Sequence, residues 1–278
     1  MAFSACEGEP GGSPVTLERL PSGVAVLTLS HAMERNVVTH AWADAMLTHC
    51  ASVRADTGIG AVLLRAQGPA FCVGADVRDM AGHMDGLSAH IASLIDHAHA
   101  AIVALQTLPM PVVACVQGVA AGGGVSLALA CDSVVAARSA RFVMAYPQLG
   151  TTPDCGLSHY LSELLGPRRA LQVLLAPGAL DAAQALALGL VAQVVDDEDL
   201  QTAALALVTH LAGLPHAAVR GAKALLLEHS HAALLSQLDR EKEAFLQCAG
   251  TVEFRARVRA FAYQGHPAEA PSERQALS

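Results

Sequence analysis

A glycine cluster and one acidic residue lie close together in the middle of this sequence. The glycines at 122–124 follow an apolar, β-branched run at 112–116 and precede a helix-like segment at 125–131, and Asp154 lies beyond the next predicted strand. Glycines that open a helix expose backbone N–H groups, and the helix dipole adds partial positive charge there. Such a corner can stabilise an oxygen that becomes negative during a reaction, while a nearby carboxylate moves a proton.

The elements around this segment follow recognisable patterns. Alternating polarity at 15–20 and 24–29, around a Pro-Ser-Gly turn, predicts a β-hairpin. Helical spacing of apolar residues predicts helices at 39–56 and 88–108, and the run at 60–65 is typical of a buried strand. Strands that alternate with helices predict an α/β fold with right-handed crossovers.

The chain divides into four predicted parts. Residues 1–14 are small, polar and rich in glycine and proline, which predicts a disordered leader. We expect the α/β core at 15–199 and a helical region at 200–264. The polar end at 265–278 is predicted to be a loose tail.

The composition limits the class of protein. Of the 278 residues, 53% are hydrophobic and only 15% are charged, which is enough for a large core and leaves apolar surface for subunit contacts. The net charge of −8 argues against nucleic acid as a partner. The sequence also predicts no signal peptide and no membrane partner.

Seven cysteines and 13 histidines are scattered along the chain. The cysteines form no Cys-x-x-Cys pair, which favours reduced thiols in a cytoplasmic protein. His97 and His99 are two positions apart, so on a helix they do not share a face. Because no histidine and carboxylate spacing matches a known metal motif, the sequence predicts no metal site.

Several motifs, in order, resemble the crotonase (enoyl-CoA hydratase/isomerase) superfamily. A-F-C-V-G-A-D at 70–76 resembles the first oxyanion-hole motif of that family, and V-Q-G-V-A-A-G-G-G at 116–124 resembles the second. The Cys-Asp pair at 131–132, A-R-F at 140–142 and A-L-A-L-G-L-V at 185–191 also fit the family pattern.

The resemblance spans about residues 15–262 and implies a fold and a substrate class. The implied fold is a crotonase/ClpP-like spiral of ββα turns with a C-terminal helical trimerisation region, in a homotrimer or a dimer of trimers. The implied substrate is an acyl-CoA thioester, so coenzyme A would enter as part of the substrate and no cofactor would be tightly bound. The implied oxyanion donors are the backbone N–H groups of Ala75 and Gly123.

The same resemblance assigns further residues to binding. Arg65 and Arg78 flank the first motif and could reach the CoA phosphates, although a role in surface solubility is the competing interpretation; Arg240 or Lys242 of a neighbouring subunit could also contribute. The residues expected to contact CoA are Arg65, Cys72, Val73, Ala75, Asp76 and Arg78. The residues expected to line the acyl pocket are Met80, Ser126, Met144, Tyr146 and Leu149.

The positions that carry two glutamates in hydratases of this family are Ser126 and Tyr146 here. Neither is an acid, so addition of water across a double bond is poorly supported, because that reaction needs one group to take a proton and another to give one. The segments 138–156 and 194–200 resemble the 2-(1,2-epoxy-1,2-dihydrophenyl)acetyl-CoA isomerases of phenylacetate breakdown. Asp154 would then shift a C=C bond alone, by removing and returning one proton.

Other interpretations stay open at this stage. Asp154 could instead cap the helix that follows it. Ser126 could be a hydrolase nucleophile, although no histidine base is evident near it. The chain could also be a catalytically silent CoA-binding homologue, or a hydratase that uses Glu163 or a water held by Tyr146. His159 and Glu163 lie four positions apart, and an exposed pair is favoured over a second titrating group in the pocket.

Overall fold

Two β-sheets organise residues 12–262, the part of the chain that this computed structural model describes. The strands are β1 (Val15–Arg19), β2 (Val24–Leu29), β3 (Ala61–Ala66), β4 (Val112–Val116), β5 (Val119–Ala121), β6 (Ser133–Ala137), β7 (Arg141–Val143), β8 (Ala179–Asp181) and β9 (Gln193–Val195). The larger sheet has the order β1-β2-β3-β4-β6-β9 and is parallel except for the β1–β2 hairpin. The smaller sheet has the order β5-β7-β8.

Helices follow or connect these strands. They are α1 (His40–Ala55), α2 (Val77–Gly82), α3 (Leu87–Gln106), α4 (Gly123–Leu129), α5 (Tyr146–Leu149), α6 (Leu157–Leu165), α7 (Pro167–Leu175), α8 (Ala182–Ala187), α9 (Leu200–Ala212), α10 (His216–Ala249) and α11 (Val252–Ala262). Short 3₁₀ turns lie at Ala32–Glu34, Met84–Gly86 and Asp197–Asp199.

The order of the elements repeats along the chain. A strand of the larger sheet is followed by a short strand of the smaller sheet and then by a helix, as in β4-β5-α4 and β6-β7-α5. The first repeat is shorter, because only an isolated bridge between Cys72 and Ala120 joins the chain after β3 to the smaller sheet. This is the ββα spiral predicted from the sequence, and it brings the segment after β3 beside the segment after β5.

Local signals in the sequence predicted several element boundaries correctly. The β1–β2 hairpin forms around the predicted turn. The sequence predicts helix N-caps at Thr39 and Asp181. Thr39 caps α1 by accepting a hydrogen bond from Trp42 N at 3.1 Å, and Asp181 forms a capping box with Gln184 at α8. The sequence pattern predicts two helices at 216–229 and 231–248, and the predicted break near residue 230 is wrong, because α10 is continuous over its 34 residues. No glycine or proline lies between Ala222 and Ala249, so the backbone hydrogen bonds continue through the polar residues near 230.

The ends of the described chain test the predicted leader and tail only in part. Ser30 N donates to Pro14 O at 3.0 Å and Ser30 Oγ donates to Ser13 O at 2.7 Å, so hydrogen bonding to the sheet begins before Val15. The predicted disorder of residues 1–11 and the predicted tail at 265–278 lie outside the described residues.

The sequence predicts one apolar face on the C-terminal helices that suits packing on a neighbouring subunit, made of Leu225, Leu226, Leu234, Leu235, Leu238 and Phe245. In the structure these side chains divide into two groups. Leu234, Leu238 and Phe245 are buried within the chain, so they are part of its own core. A second group is exposed, with Leu225 and Leu226 at 74% and 81%. A single apolar face reserved for a neighbour is therefore the wrong description of α10.

The length and hydrophobicity of the helices bear on whether the described chain could cross a membrane. No single helix within residues 12–262 is long and apolar enough to cross a membrane. The segments Asp197–Ala212 and His216–Glu228 reach the required length and hydrophobicity only when they are counted together, and the chain bends by 102° between them.

Candidate active site

The two glycine motifs meet through their backbones. A Cβ placed on Gly74 would lie 2.9 Å from Ala121 O and 3.1 Å from Gly123 N, and one on Gly124 would lie 2.0 Å from Cys72 O. Ala121 N also donates to Cys72 O at 2.9 Å. Only glycine permits this approach, and Gly74 additionally has a φ of +80°.

Ala75 and Gly123 lie at the accessible edge of this contact. Gly123 is the first residue of α4, so its N–H has no acceptor inside the helix. In the described part of the chain, neither N–H donates a hydrogen bond. Both residues are partly exposed, whereas Gly74 and Gly124 are buried. The two amides are therefore free to donate to an oxygen that enters from solvent.

Asp154 forms a buried pair with a histidine from a distant helix. His99 Nε2, on α3, lies 2.6 Å from Asp154 Oδ1, and the two side chains are 11% and 8% exposed. Sequence reasoning missed this residue, which is 55 positions away. The helical period offered a signal, because His99 shares the buried face of α3 with Ile95 and Ile102.

The Asp154 carboxylate also lies close to the donor corner. Cys155 Sγ is 3.7 Å from Asp154 Oδ2, and it is 3.9 Å from a Cβ placed on Gly123. Burial, followed by the nearby Asp154 and Glu241 carboxylates, raises the pKa of the Cys155 thiol well above its usual value. The thiol therefore stays protonated, and it fills the space between the carboxylate and the corner.

Two buried hydroxyls hold the main chain of the acid. Ser126 Oγ and Tyr146 OH donate to Asp154 O at 2.9 and 3.0 Å. Burial, with a smaller effect of Cys155 and Asp154, raises the pKa of Tyr146 well above its usual value, so the phenol remains a donor. Their hydroxyl groups thus brace the acid loop by bonding to its carbonyl. The expectation that Ser126 and Tyr146 line the acyl pocket stays a prediction.

A second acid that the sequence analysis did not identify holds the loop from the other side. Glu241, on α10, is buried; its Oε2 accepts from Gly156 N at 2.7 Å, and its Oε1 accepts from Ser158 N at 2.8 Å and from the Ser158 hydroxyl. Burial is the main cause that raises the pKa of Glu241. Glu241 therefore satisfies the first N–H groups of α6, and the Asp154 side chain makes no cap there. The capping interpretation of Asp154 is wrong.

His159 and Glu163 form a pair, but it is only half exposed. His159 Nε2 lies 3.5 Å from Glu163 Oε2 and 3.1 Å from Ser230 Oγ. The side chain of Glu163 is 51% exposed while that of His159 is 6% exposed, and burial lowers the pKa of His159. The prediction of an exposed pair is thus wrong for the histidine, whose ring packs beneath α10.

The predicted CoA-contacting residues have different surroundings. Asp76 caps α2, since its Oδ1 accepts from Arg78 N at 2.9 Å, and the Arg78 side chain is exposed. Arg65 is half-buried on β3, where its Nε donates to Thr28 Oγ1 at 3.0 Å and burial lowers its pKa. Val73 N donates to Arg35 O at 3.3 Å.

The remaining predicted site residues differ in how deeply their side chains are buried. Cys72 is fully buried, which raises the pKa of its thiol to about 12, so only its backbone takes part in the site. Met80 and Met144 are buried in the main core, and Leu149 packs against that core while partly exposed. A lining role for the two methionines therefore requires them to move out of close packing.

Comparison with known proteins supports the family that the sequence motifs indicate. The family model of enoyl-CoA hydratase/isomerase matches residues 19–268. The chain is 35% identical to 1,2-epoxyphenylacetyl-CoA isomerase of Escherichia coli over 253 residues, which cover 90% of this chain and 96% of that protein. It is 28% identical to 4-chlorobenzoyl coenzyme A dehalogenase-1 of an Arthrobacter species over 240 residues, 86% and 87% of the two chains.

A solved structure supports the fold. The crystal structure of an enoyl-CoA hydratase from Bacillus halodurans aligns with a TM-score of 0.84 at 24% identity, over 89% of this chain and 100% of that one. With the family match, these results place the chain in the enoyl-CoA hydratase/isomerase family of the crotonase superfamily, whose members are enzymes.

Proposed function

We propose that this enzyme is an acyl-CoA isomerase that moves a C=C bond, or carries out a related enolate rearrangement, with Asp154 as its single acid–base group. The observation that carries the proposal is the buried Asp154–His99 pair beside two unused backbone amides. The substrate would be a CoA thioester, as the names of the relatives suggest, and no resident cofactor is required.

The proposed reaction has two balanced proton transfers. Asp154 takes a proton from a carbon next to the thioester or conjugated with it, and the released electron pair becomes an enolate or dienolate. The N–H groups of Ala75 and Gly123 donate to the resulting oxyanion, and one such donor is worth about 3–4 kcal/mol. Asp154 then returns the proton at another carbon, so the double bond moves and no atom is lost.

His99 is a positioning residue in this proposal. A ring N–H at 2.6 Å fixes Oδ1 of the Asp154 carboxylate, and Oδ2, which contacts the Cys155 thiol at 3.7 Å, would be the oxygen that takes the proton. The hydroxyls of Ser126 and Tyr146 fix the main chain behind the acid. A base held on both sides needs little reorganisation when the proton transfers.

The test of this mechanism is Asp154→Asn with a 3-enoyl-CoA substrate in deuterated water. We expect turnover and exchange at the α and γ carbons to fall by about 10³-fold or more, because an amide cannot accept the proton. CoA binding should persist. Glu163→Gln, which removes an exposed acid on the next helix, is the matched control and should keep full activity. Retained exchange in Asp154→Asn would exclude the proposal.

A second candidate is replacement of a halogen on an aromatic acyl-CoA, because His99, at 2.6 Å from Asp154, could supply the base that this reaction needs. The Asp154 carboxylate would attack the carbon that bears the halogen, forming an ester and releasing halide. His99 would then take a proton from water, the resulting hydroxide would attack the Asp154 ester carbonyl, and the hydroxylated product would leave. The dehalogenase among the relatives supports testing this reaction.

Chloride release from 4-chlorobenzoyl-CoA separates the two candidates. A dehalogenase would release chloride with multiple turnovers, and His99→Gln would stop after one chloride per chain with an aryl group attached to Asp154. An isomerase would release none. Peptide mass spectrometry of Asp154 provides the second measurement.

The assembly is also part of the proposal. We expect this chain to form a trimer or a dimer of trimers in the cytoplasm. The exposed Leu225 and Leu226 on α10 would be covered in such an assembly. Light scattering after size-exclusion chromatography tests the subunit number, and a monomer would exclude it.

A further inference from the structure

Four histidines and one aspartate gather outside the candidate active site. Asp79 lies on α2 and His83 caps the end of that helix, while His90 lies on the following long helix α3. His40, the first residue of α1, and His97, further along α3, complete the group. Three segments that are separate in sequence thus contribute imidazole rings to one patch of surface.

The distances in this group fit a shared ion. His90 Nε2 lies 2.6 Å from Asp79 Oδ2, and His83 Nδ1 lies 3.5 Å from Asp79 Oδ1. One ligand atom from each of these three residues lies within 4.8 Å of the other two. Ligand atoms about 2 Å from a common ion would be separated by a little more than 3 Å, so small side-chain rotations suffice.

The imidazole rings of this group lie against one another. The His83 and His90 rings stack with centroids 4.1 Å apart, and His40 lies 4.9 Å from His97 and 5.8 Å from His90. This packing brings several ring nitrogens to one patch of surface, and imidazole nitrogen is a common ligand of transition-metal ions.

The exposure of the group leaves room for solvent ligands. His83 and Asp79 are 51% and 43% exposed, whereas His90 is 17% exposed. A cleft lined by residues 81–86 runs past His83. Two imidazoles and a carboxylate with an open side suit a first-row divalent ion such as Zn²⁺, Co²⁺, Ni²⁺ or Cu²⁺ better than Mg²⁺ or Ca²⁺.

We propose that Asp79, His83 and His90 form a binding site for one divalent transition-metal ion, completed by water. The ion would tie the short helix α2 to α3. Because Asp76, the N-cap of α2, directly follows the proposed oxyanion donor Ala75, the ion would also fix the segment that follows this donor. The second compact group, His99, Asp154 and Cys155, belongs to the active site already described.

The experiment titrates untagged, metal-free protein with Zn²⁺ by calorimetry and with Co²⁺ by visible absorption. We expect one ion per chain, and a loss of affinity of about 10-fold or more in His83→Ala and in His90→Ala. His210→Ala, which removes an exposed histidine of α9, should bind like the wild type. Asp154→Asn should also bind like the wild type, which separates this site from the catalytic one.

Two results would overturn the proposal. One is unchanged affinity in both His83→Ala and His90→Ala. The other is a loss of binding in Asp154→Asn, which would move the ion to the active site. If a variant fails to fold, ¹⁵N shifts of the imidazoles in wild-type protein decide the matter, because Zn²⁺ must shift the signals of His83 and His90 and leave His210 unchanged.

Discussion

The donor side and the acid side of the active site are built in different ways. The donor side consists of backbone, in which two short motifs are brought together because Gly74 and Gly124 have no side chains. The acid side consists of side chains, in which α3, α4, α5 and α10 each contribute one polar group to a single loop. A backbone site depends on local sequence, whereas a side-chain site depends on the packing of the whole fold.

Apart from the replacement of Asp154 itself, the largest effect on kcat is expected on the donor side, from Gly74→Ala. The new Cβ would lie 2.9 Å from Ala121 O and 3.1 Å from Gly123 N, so the chain must shift one donor amide. We expect kcat to fall by about 10²- to 10³-fold, the range for loss of one oxyanion donor. Gly82→Ala has nothing within 4 Å of its new Cβ and serves as the control. Equal activity of the two variants would show that the close approach is unimportant.

The next effect is expected on the acid side, from His99→Gln. Without the ring, Asp154 loses the group that fixes its orientation, and misplacement of a catalytic group by about 1 Å can cost about 10²-fold in rate. We expect a fall in kcat of about 10- to 100-fold with little change in KM. His97→Gln, at a partly exposed position on the same helix, is the control. A change in KM alone would contradict a positioning role.

A smaller effect is expected when the support of the loop is weakened by Glu241→Gln. The amide nitrogen of glutamine would face an N–H donor of the loop, so one buried group loses its partner at a cost of about 1–3 kcal/mol. Urea unfolding measures this loss, with the exposed Glu243→Gln as the reference. An unchanged midpoint would mean that the loop does not need the Glu241 carboxylate.

The smallest effect is a pH dependence of stability from His159. Burial lowers the pKa of this histidine in the folded protein, so folding favours the neutral ring. That stabilisation is fully present above the ordinary pKa of about 6.5 and is lost as the pH falls through the lower folded-state value. The free energy of unfolding, measured by urea titration at several pH values between about 7.5 and 5, should therefore fall more steeply in wild-type protein than in His159→Gln. Parallel curves would contradict this assignment.

The same contrast explains what the sequence could predict. The hairpin at β1–β2, the Thr39 cap and the glycine motifs depend on neighbouring residues, and each was identified before the structure. The sequence also selects Asp154 as the candidate acid, because its loop resembles a family motif, and its catalytic role stays a prediction. These features need only local propensities and a family pattern.

The partners of Asp154 could not be predicted in the same way. His99 is 55 positions from Asp154, and Glu241 is 85 positions from Gly156. Their proximity depends on how α3 and α10 pack against the spiral, which no local pattern specifies. For the same reason, the support that Ser126 and Tyr146 give to the loop could not be predicted, since it becomes visible only in the packed structure.

The shared carbonyl of Asp154 limits how this enzyme could be redesigned. Replacing Ser126 or Tyr146 with glutamate would remove a donor and set a negative oxygen against the Asp154 carbonyl. Stepwise laboratory evolution toward water addition would therefore pass through variants with a weakened acid loop. Exchanging α4 and α5 together, with the loop that follows, is the more direct route to a two-acid enzyme.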